Sequence, residues 1–527
     1  MAACGPARTA RPASAGMMAG LPDGRTAQVH IPEPLIIAVA VLLVGSIAAS
    51  FVDRLGAPTL LVFLGLGMLL GEDGPGGIHF DDATLARDAG TVALMIILIE
   101  GGLLAERAEV RKALVPAGLL ATLGVIVTAG IVAGAAHAVI DLSWTASLLL
   151  GAAVSSTDAA AVFASLRGAH VRRRLSSILE AESGLNDPFA ALLVIGLVEW
   201  STTSHFGVGD GLLLLLQQAG IGAAGGFAVG LAGVWLLRRL PVPSAGLAPV
   251  ITVAVALAGA VGVSALNGSG LLAAYLIGLV IGDARIPHSA VVRGFLQGAA
   301  WLAQLGLFVL LGLLVTPSRM LDEGAAPILV AVALVLVARP LAVFLCTSLL
   351  GLSLREQGFL AWAGLRGGVP IVLATFPIAA GVPGSQRVFD AVFFVVVLSV
   401  AAQGLTMRWA ARRLDLTEQH PVPRLAELDS ATLSTLHSEL VELRAESLGV
   451  PPGTLVRDAE LPGAAIIVAI RRGEEIVRPR GSSELLASDN LYLLVARGRL
   501  HDVQAALDSA DELPDAPHSG VHAHHSG

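Results

Sequence analysis

Long apolar runs follow one another along this chain, separated by short stretches that concentrate charge, glycine and proline. A hydrocarbon core about 30 Å thick takes roughly 20 consecutive apolar residues to cross as a helix, and segment after segment reaches or approaches that length. Reading the runs against their breaks predicts about thirteen helical spans, near 35–52, 58–71, 88–104, 113–137, 145–166, 176–200, 211–237, 246–265, 269–282, 294–315, 325–350, 357–379 and 387–411. Basic residues are distributed unevenly between them. With the N-terminus outside, the inward loops hold Arg54, Arg107, Arg111, Lys112, Arg167, Arg172, Arg173, Arg174, Arg238, Arg239, Arg285, Arg293 and Arg355, with Arg408, Arg412 and Arg413 at the last boundary. The outward loops hold only Arg87, Arg319 and Arg387, so the asymmetry puts the C-terminus in the cytoplasm.

After Leu414 the pattern changes. Glu439 to Arg444 alternates as a half-buried strand, Ala464 to Ile470 and Leu491 to Val495 read as buried strands, and Gly453–Glu460 and Arg499–Leu507 read as short helices. The expected organisation is a polar tail over 1–34, a membrane domain over 35–414, a small α/β domain over 421–508 and an acidic, Pro/His-rich tail over 509–527. The fold class is therefore an all-α polytopic membrane protein with a small cytoplasmic α/β domain. Arg8, Arg11 and Arg25 precede an apolar run ending in Ser46–Ser50 in the manner of a signal peptide, but the long charged region and the many following spans favour an uncleaved first span.

Composition sharpens this reading. Hydrophobic residues make up 55% of the chain and charged ones only 14%, which excludes a soluble globular protein. The formal net charge of -8 is small for 527 residues and the basic residues form no continuous face, so nucleic acid is not an expected partner. The two cysteines, Cys4 and Cys346, support neither a disulfide framework nor a cysteine metal site. His518, His522, His524 and His525 lie in a tail whose composition reads as disordered.

A charge at bilayer depth costs several kcal/mol or more unless paired, so each one is a functional candidate. Six stand out: Glu100, Asp158, Glu182, Asp187, Arg339 and Arg366. The fifth span carries Ser155-Ser156-Thr157-Asp158, a set of hard oxygen donors suited to alkali cations. Serines and threonines at such positions also serve as helix glue, bonding back to their own helix or to a neighbour. The sixth span carries Glu182-Ser183-Gly184-Leu185-Asn186-Asp187-Pro188, where Ser183 and Asp187 share one face and Glu182 and Asn186 the adjacent one. Pro188 is expected to free the carbonyl of Gly184. The twelfth span carries Gly364-Leu365-Arg366-Gly367-Gly368-Val369-Pro370, and such interruptions occur at depth where backbone lines a cavity. Arg366 is expected to pair with Glu182 and brace the unwound segment, leaving Asp187 as the carrier. A buried carboxylate is neutralised either by a proton or by a metal cation, and that competition, presented alternately to the two sides, is an exchange mechanism needing no nucleotide.

With these three motifs in this order, the chain resembles the NhaP-type monovalent cation:proton antiporters, and within them the potassium/proton antiporters called cell-volume-regulation proteins. The resemblance covers essentially 35–500. It implies thirteen spans in two inverted repeats, a dimerisation domain and a mobile core domain, with the fifth and twelfth spans as crossed discontinuous helices. It implies further that Asp187 is the exchanging carboxylate, binding potassium or sodium with oxygens from Asp158, Ser183 and the Thr157 backbone. Asn186 stands where electrogenic relatives have a second aspartate, which implies electroneutral exchange. Glu100 matches a carboxylate near the cytoplasmic funnel, and a solvated helix-end position accounts for it equally well. Residues 425–500 resemble the C-terminal subdomain of potassium-conductance regulators, through Gly453, Leu461-Pro462, Arg471-Arg472-Gly473 and the stretch from Gly481 to Asp489. Such modules dimerise and bind a small regulatory ligand, sometimes a nucleotide, and longer relatives carry a further domain that does not follow here. The expectation is a non-enzymatic, homodimeric antiporter of a bacterial inner membrane with no cofactor. A ligand-gated cation channel and a nucleotide sensor without transport are the other classes weighed; the first lacks a TVGYG-type filter repeat, and the second has no need of acids at mid-depth.

Overall fold

A computed structural model describes residues 33–55, 60–105, 107–166, 171–205, 207–240, 244–284, 286–322, 325–417, 438–446, 451, 453–459, 461, 465–473 and 475–496. The expected helix at 499–507 and the polar tails over 1–32 and 509–527 lie outside these residues. The chain divides into two compact units, Met1–Gln419 and His420–Gly527.

In the first unit the apolar runs are helices: α1 (Glu33–Leu55), α2 (Leu60–Leu70), α3 (Ala83–Leu104), α4 (Arg107–Leu119), α5 (Val125–Ile140), α6 (Trp144–Ala153), α7 (Ala159–Ser165), α8 (Arg173–Thr202) and α9 (Val208–Arg239). The series continues with α10 (Leu247–Ala265), α11 (Gly270–Asp283), α12 (Ser289–Leu314), α13 (Pro317–Asp322), α14 (Ala326–Ala333), α15 (Arg339–Thr347), α16 (Leu354–Trp362), α17 (Gly368–Ala379) and α18 (Ser385–Arg413). Among the described residues, seven helical segments are each long and apolar enough to cross a bilayer, with shorter apolar helices between them. Polar caps start several of them: Asp82 accepts from Leu85 N at 2.9 Å, Ser143 from Ala146 N at 3.2 Å, and Ser353 with Glu356 closes a capping box at α16.

One succession occurs twice. A long helix with a π turn in its middle is followed by a helix interrupted in its middle and then by a long unbroken helix, over 107–202 and again over 326–413. The π turns, Leu120–Gly124 and Leu334–Ala338, each lie close to a proline, Pro116 in one case and Pro340 in the other, whose missing N–H unsettles the regular ladder. Their packing is reciprocal: the first π turn rests on α15 and the second on α5. Elsewhere glycines let backbones meet. A Cβ on Gly102 would strike the Tyr275 carbonyl, and one on Gly278 the Ile99 carbonyl, so α3 and α11 touch main chain to main chain. α8 runs unbroken through Pro188.

The second unit is an antiparallel sheet of order β1-β4-β2-β3, from β1 (Ser438–Arg444), β2 (Ile466–Arg472), β3 (Glu475–Val477) and β4 (Asn490–Ala496). Val441 pairs with Leu493, and the register of β2 on β4 shifts between Ile467 and Ala469. Ile467, Ile470, Leu491, Leu493 and Val495 form its core. The helix expected over Gly453–Glu460 is only a 3-10 turn, Val456–Asp458; its neighbours Thr454 and Leu485 spend their backbone groups on an extended pairing instead.

Candidate functional site

The two interrupted helices meet at their interruptions. Between α6 and α7 the chain is unwound over 154–158, and between α16 and α17 over 363–367. Asp158 N donates to Leu365 O at 2.8 Å, tying one break to the other. Arg366 Nη1 donates to Ser155 O at 2.8 Å and Ser156 O at 2.6 Å, setting a positive charge against the carbonyl end of α6. Asp158 caps the opposite half-helix, its Oδ1 accepting from Ala161 N at 3.1 Å. The two half-helix dipoles of the first broken helix, α6 and α7, thus each meet a side chain of opposite sign. Gly367 permits the approach, because a Cβ there would collide with the Asp158 carboxylate.

The helix α8 crosses beside this point and presents two faces. Glu182 and Asn186, fully buried, turn towards protein, while Ser183 and Asp187 line a cavity of about 250 Å³. Asn186 Nδ2 donates to Thr157 Oγ1 at 2.6 Å, and Ser183 Oγ accepts from Ala159 N at 3.2 Å, so α8 is stitched to the first break through both faces. Asp187 stands beside Ser156, Asp158 and Arg366. Its Oδ1 and the Oδ1 of Asn186 are buried without a hydrogen-bond partner among the described residues. Buried oxygens in that condition are costly, and a bound cation or an added proton relieves them. Ser155 is glue: its hydroxyl donates to Ala152 O at 2.6 Å.

The expected Glu182–Arg366 ion pair is not the one that forms. Glu182 is gripped by Arg339, Nη1 to Oε1 at 2.5 Å and Nη2 to Oε2 at 2.9 Å, with both side chains buried. The physical reason is placement: Arg366 turns its Nη1 to the two carbonyls of the first break, while Arg339, starting α15 directly after the second π turn, reaches Glu182 with both Nη atoms and also donates from Nη2 to Leu360 O at 3.3 Å. Room for Arg339 comes from Gly364, where a Cβ would strike its Nε.

Asp158, Asp187, Ser183 and Glu100 come together around the one cavity. Three polar lining residues escaped the sequence reading: Glu180, Tyr275 and Gln304. Glu180 was legible, since it precedes Asp187 by seven residues and so stands on the same helical face. Tyr275 and Gln304 carried no such signal. A polar stripe on α18 was also passed over. Gln403 Nε2 donates to Trp362 O at 2.8 Å, Ser399 donates to Gln403 Oε1 at 2.5 Å, and Trp362 Nε1 donates to Thr406 Oγ1 at 3.1 Å. These bonds satisfy the end of α16 where its helix stops.

Residues 38–413 match the model of the transmembrane sodium/hydrogen exchanger family. The chain is 37% identical over 492 residues to the K(+)/H(+) antiporter NhaP of Alkalimonas amylolytica, covering 90% of this chain and 83% of that one. It is 38% identical over 495 residues to the K(+)/H(+) antiporter NhaP2 of Shewanella sp. strain ANA-3, covering 92% and 84%. Its fold is like that of the sodium proton antiporter MjNhaP1 from Methanocaldococcus jannaschii, with a TM-score of 0.63 at 23% identity over 72% of this chain and 98% of the other. With the broken helices, the buried acids and this extent of similarity in hand, the chain belongs to the transmembrane sodium/hydrogen exchanger family.

Proposed function

We propose that this chain is a secondary active antiporter that exchanges a monovalent cation, potassium ahead of sodium, for a proton at Asp187. The observation that carries the reading is a charge count. Arg339 cancels Glu182 by direct contact. Asp158, Asp187 and Arg366, gathered at the crossing, sum to one negative charge when ionised. One alkali cation or one proton neutralises it, and a site away from bulk water does not carry both. Exchange of one for the other then moves no net charge. Glu100 and Glu180, both less buried and on the same cavity as Asp187, lie on the route by which either ion arrives.

In this reading Asp187 is the exchanging carboxylate, with Asp158, Ser183 and Thr157 supplying oxygens and Asn186 holding Thr157 in place. Glu182 with Arg339, and Arg366 with the carbonyls of the break, keep the unwound segments from refolding as helix. The inverted repeats are supported by the duplicated succession of helices and the reciprocal packing of the π turns. Thirteen spans, an outer N-terminus and a cytoplasmic C-terminus in a bacterial inner membrane follow from the hydropathy and the arginine asymmetry. The preference for potassium rests on the names of relatives 37% and 38% identical to this chain. The four-stranded unit is read as a regulatory domain, and the assembly as a homodimer.

The test is transport by purified protein in vesicles with an internal pH dye, challenged with potassium, sodium, lithium or rubidium. Exchange dissipates an imposed pH gradient and continues with the membrane potential clamped. Asp187→Asn is expected to abolish the signal while the protein still inserts. Substantial exchange by that variant would remove Asp187 from the mechanism.

A further inference from the structure

Ion exchange makes no use of the far end of α18. Leu405, Arg408, Trp409 and Arg412 recur there at intervals of three and four residues and so stand on one face, with Arg413 one turn beyond Trp409. Leu405 is 60% exposed and Trp409 66% exposed, whereas Met407, Ala410 and Ala411 are buried against the rest of the unit. The five residues border a concavity of about 520 Å³. None of the three guanidinium groups has a hydrogen bond or ion pair among the described residues, while most arginines near the crossing do. The comparable arginine at the end of α9 is already occupied: Arg239 lies over its own Trp235 at 5.0 Å.

α18 is long and apolar enough to span a bilayer, so its last turns lie at headgroup depth. Tryptophan is favoured at that depth because its ring is apolar and its N–H is wet. A guanidinium presents a planar fork that matches phosphate oxygens in pairs, and three of them converge here. Leu405, one turn deeper, offers an apolar surface for the start of an acyl chain. We propose that this end of α18 is a binding site for an anionic glycerophospholipid, its phosphate held by Arg408, Arg412 and Arg413 and its glycerol and upper acyl chain against Trp409 and Leu405. A zwitterionic lipid offers the same phosphate but brings a cation that the three arginines repel.

The test uses the full-length protein in nanodiscs doped at equal mole fraction with tail-brominated phosphatidylglycerol or tail-brominated phosphatidylcholine, which quench nearby indoles. The chain has six tryptophans, so the Trp409 signal is taken as the difference between wild type and Trp409→Phe. Brominated phosphatidylglycerol is expected to quench Trp409 more strongly than brominated phosphatidylcholine, and the excess is expected to vanish in the triple variant Arg408→Gln, Arg412→Gln, Arg413→Gln. Equal quenching by the two lipids overturns the proposal, as does an excess that survives the triple substitution. Failure of either lipid to quench Trp409, the result if protein covers this face, overturns it too. Native mass spectrometry of the wild type gives a second reading independent of any variant: retained phosphatidylglycerol should exceed phosphatidylcholine by about tenfold or more, given the attraction of three arginines for an anionic headgroup, and parity counts against a site. None of these readouts involves transport, so they stand or fall separately from the antiport reading.

Discussion

Arg339 and Glu182 form a two-pronged ion pair, 2.5 Å and 2.9 Å across, sealed from solvent between α15 and α8. Removing one partner strands the other's charge in a low-dielectric interior, which costs about 3–5 kcal/mol, whereas replacing both with neutral groups can be nearly neutral. Glu182→Gln or Arg339→Met alone is therefore expected to lower the melting temperature of the detergent-solubilised protein markedly, and the double variant to regain most of the loss. A double variant no more stable than the singles would show that the pair is not acting as a closed unit.

The approach of the two breaks depends on a missing methyl group. A Cβ at Gly367 meets the Asp158 carboxylate, while one at Gly358, a few residues earlier in α16, meets nothing within 4 Å. Overpacking of this kind costs about 1–3 kcal/mol, and here the displaced group is a proposed cation ligand. Gly367→Ala is expected to slow exchange by about tenfold or more, the equivalent of ~1.4 kcal/mol on the barrier. Gly358→Ala should leave the vesicle assay unchanged. Comparable rates for the two variants would mean that Asp158 tolerates being moved.

What could be read beforehand divides along physical lines. Hydrophobic runs report directly on helices in lipid, so the helical segments fall on the runs, and the polar interruptions at 154–158 and 363–367 were visible as Ser155–Asp158 and Arg366–Gly368. The two faces of α8 followed from helical spacing alone. Partner choice did not follow, because composition counts buried charges without saying which acceptors each one reaches; Arg366 meets the carbonyls of Ser155 and Ser156, whereas Arg339 meets the Glu182 carboxylate and the Leu360 carbonyl. Nor could the π turns be anticipated, since Pro116 and Pro340 in apolar context read equally well as tolerated kinks. Gln403 carries no signal as one polar residue in a long apolar helix, and only the stop of α16 at Trp362 gives it a task.

Asn186 offers a test of the charge count. Its amide holds Thr157 at 2.6 Å and brings no charge. Asn186→Asp takes the summed charge of the crossing from one negative to two, so that neutralising the site calls for two positive charges on one leg of the cycle. Exchange by this variant is expected to respond to an imposed membrane potential, and wild-type exchange is expected not to. An active Asn186→Asp protein as indifferent to potential as wild type would show that the position lies outside the electrostatic reach of the carrier.

In the second unit, Arg472 holds Asp489 through two bonds, each 2.8 Å, and Asp489 also accepts from Leu486 N at 2.9 Å. The Asp489 side chain is fully enclosed, and its position fixes the turn that leads into β4. These hydrogen bonds to the charged form, from Arg472 above all, pull Asp489 below the usual carboxylate range. A group with a folded-state pKa lower than its unfolded one contributes its full stabilisation above the unfolded value, ~3.9 for aspartate, and loses it as pH falls through the folded value. At neutral pH the contribution is therefore complete, and acidification below about pH 4 removes it. Asp489→Asn keeps the shape but gives up the charge, which for a hydrogen bond of this type is worth about 1.5–3 kcal/mol. In the full-length protein, hydrogen exchange followed by mass spectrometry is expected to show faster exchange of β2 and β4 peptides in Asp489→Asn at neutral pH, with the helices of the first unit unchanged. Wild type and variant should converge as the pH is lowered into the range where Asp489 takes up its proton, because the wild type then loses what the variant already lacks. Equal protection of the two proteins at pH 7 would mean that the ion pair is ornamental to the sheet and that the turn is held by Leu486 and its neighbours alone.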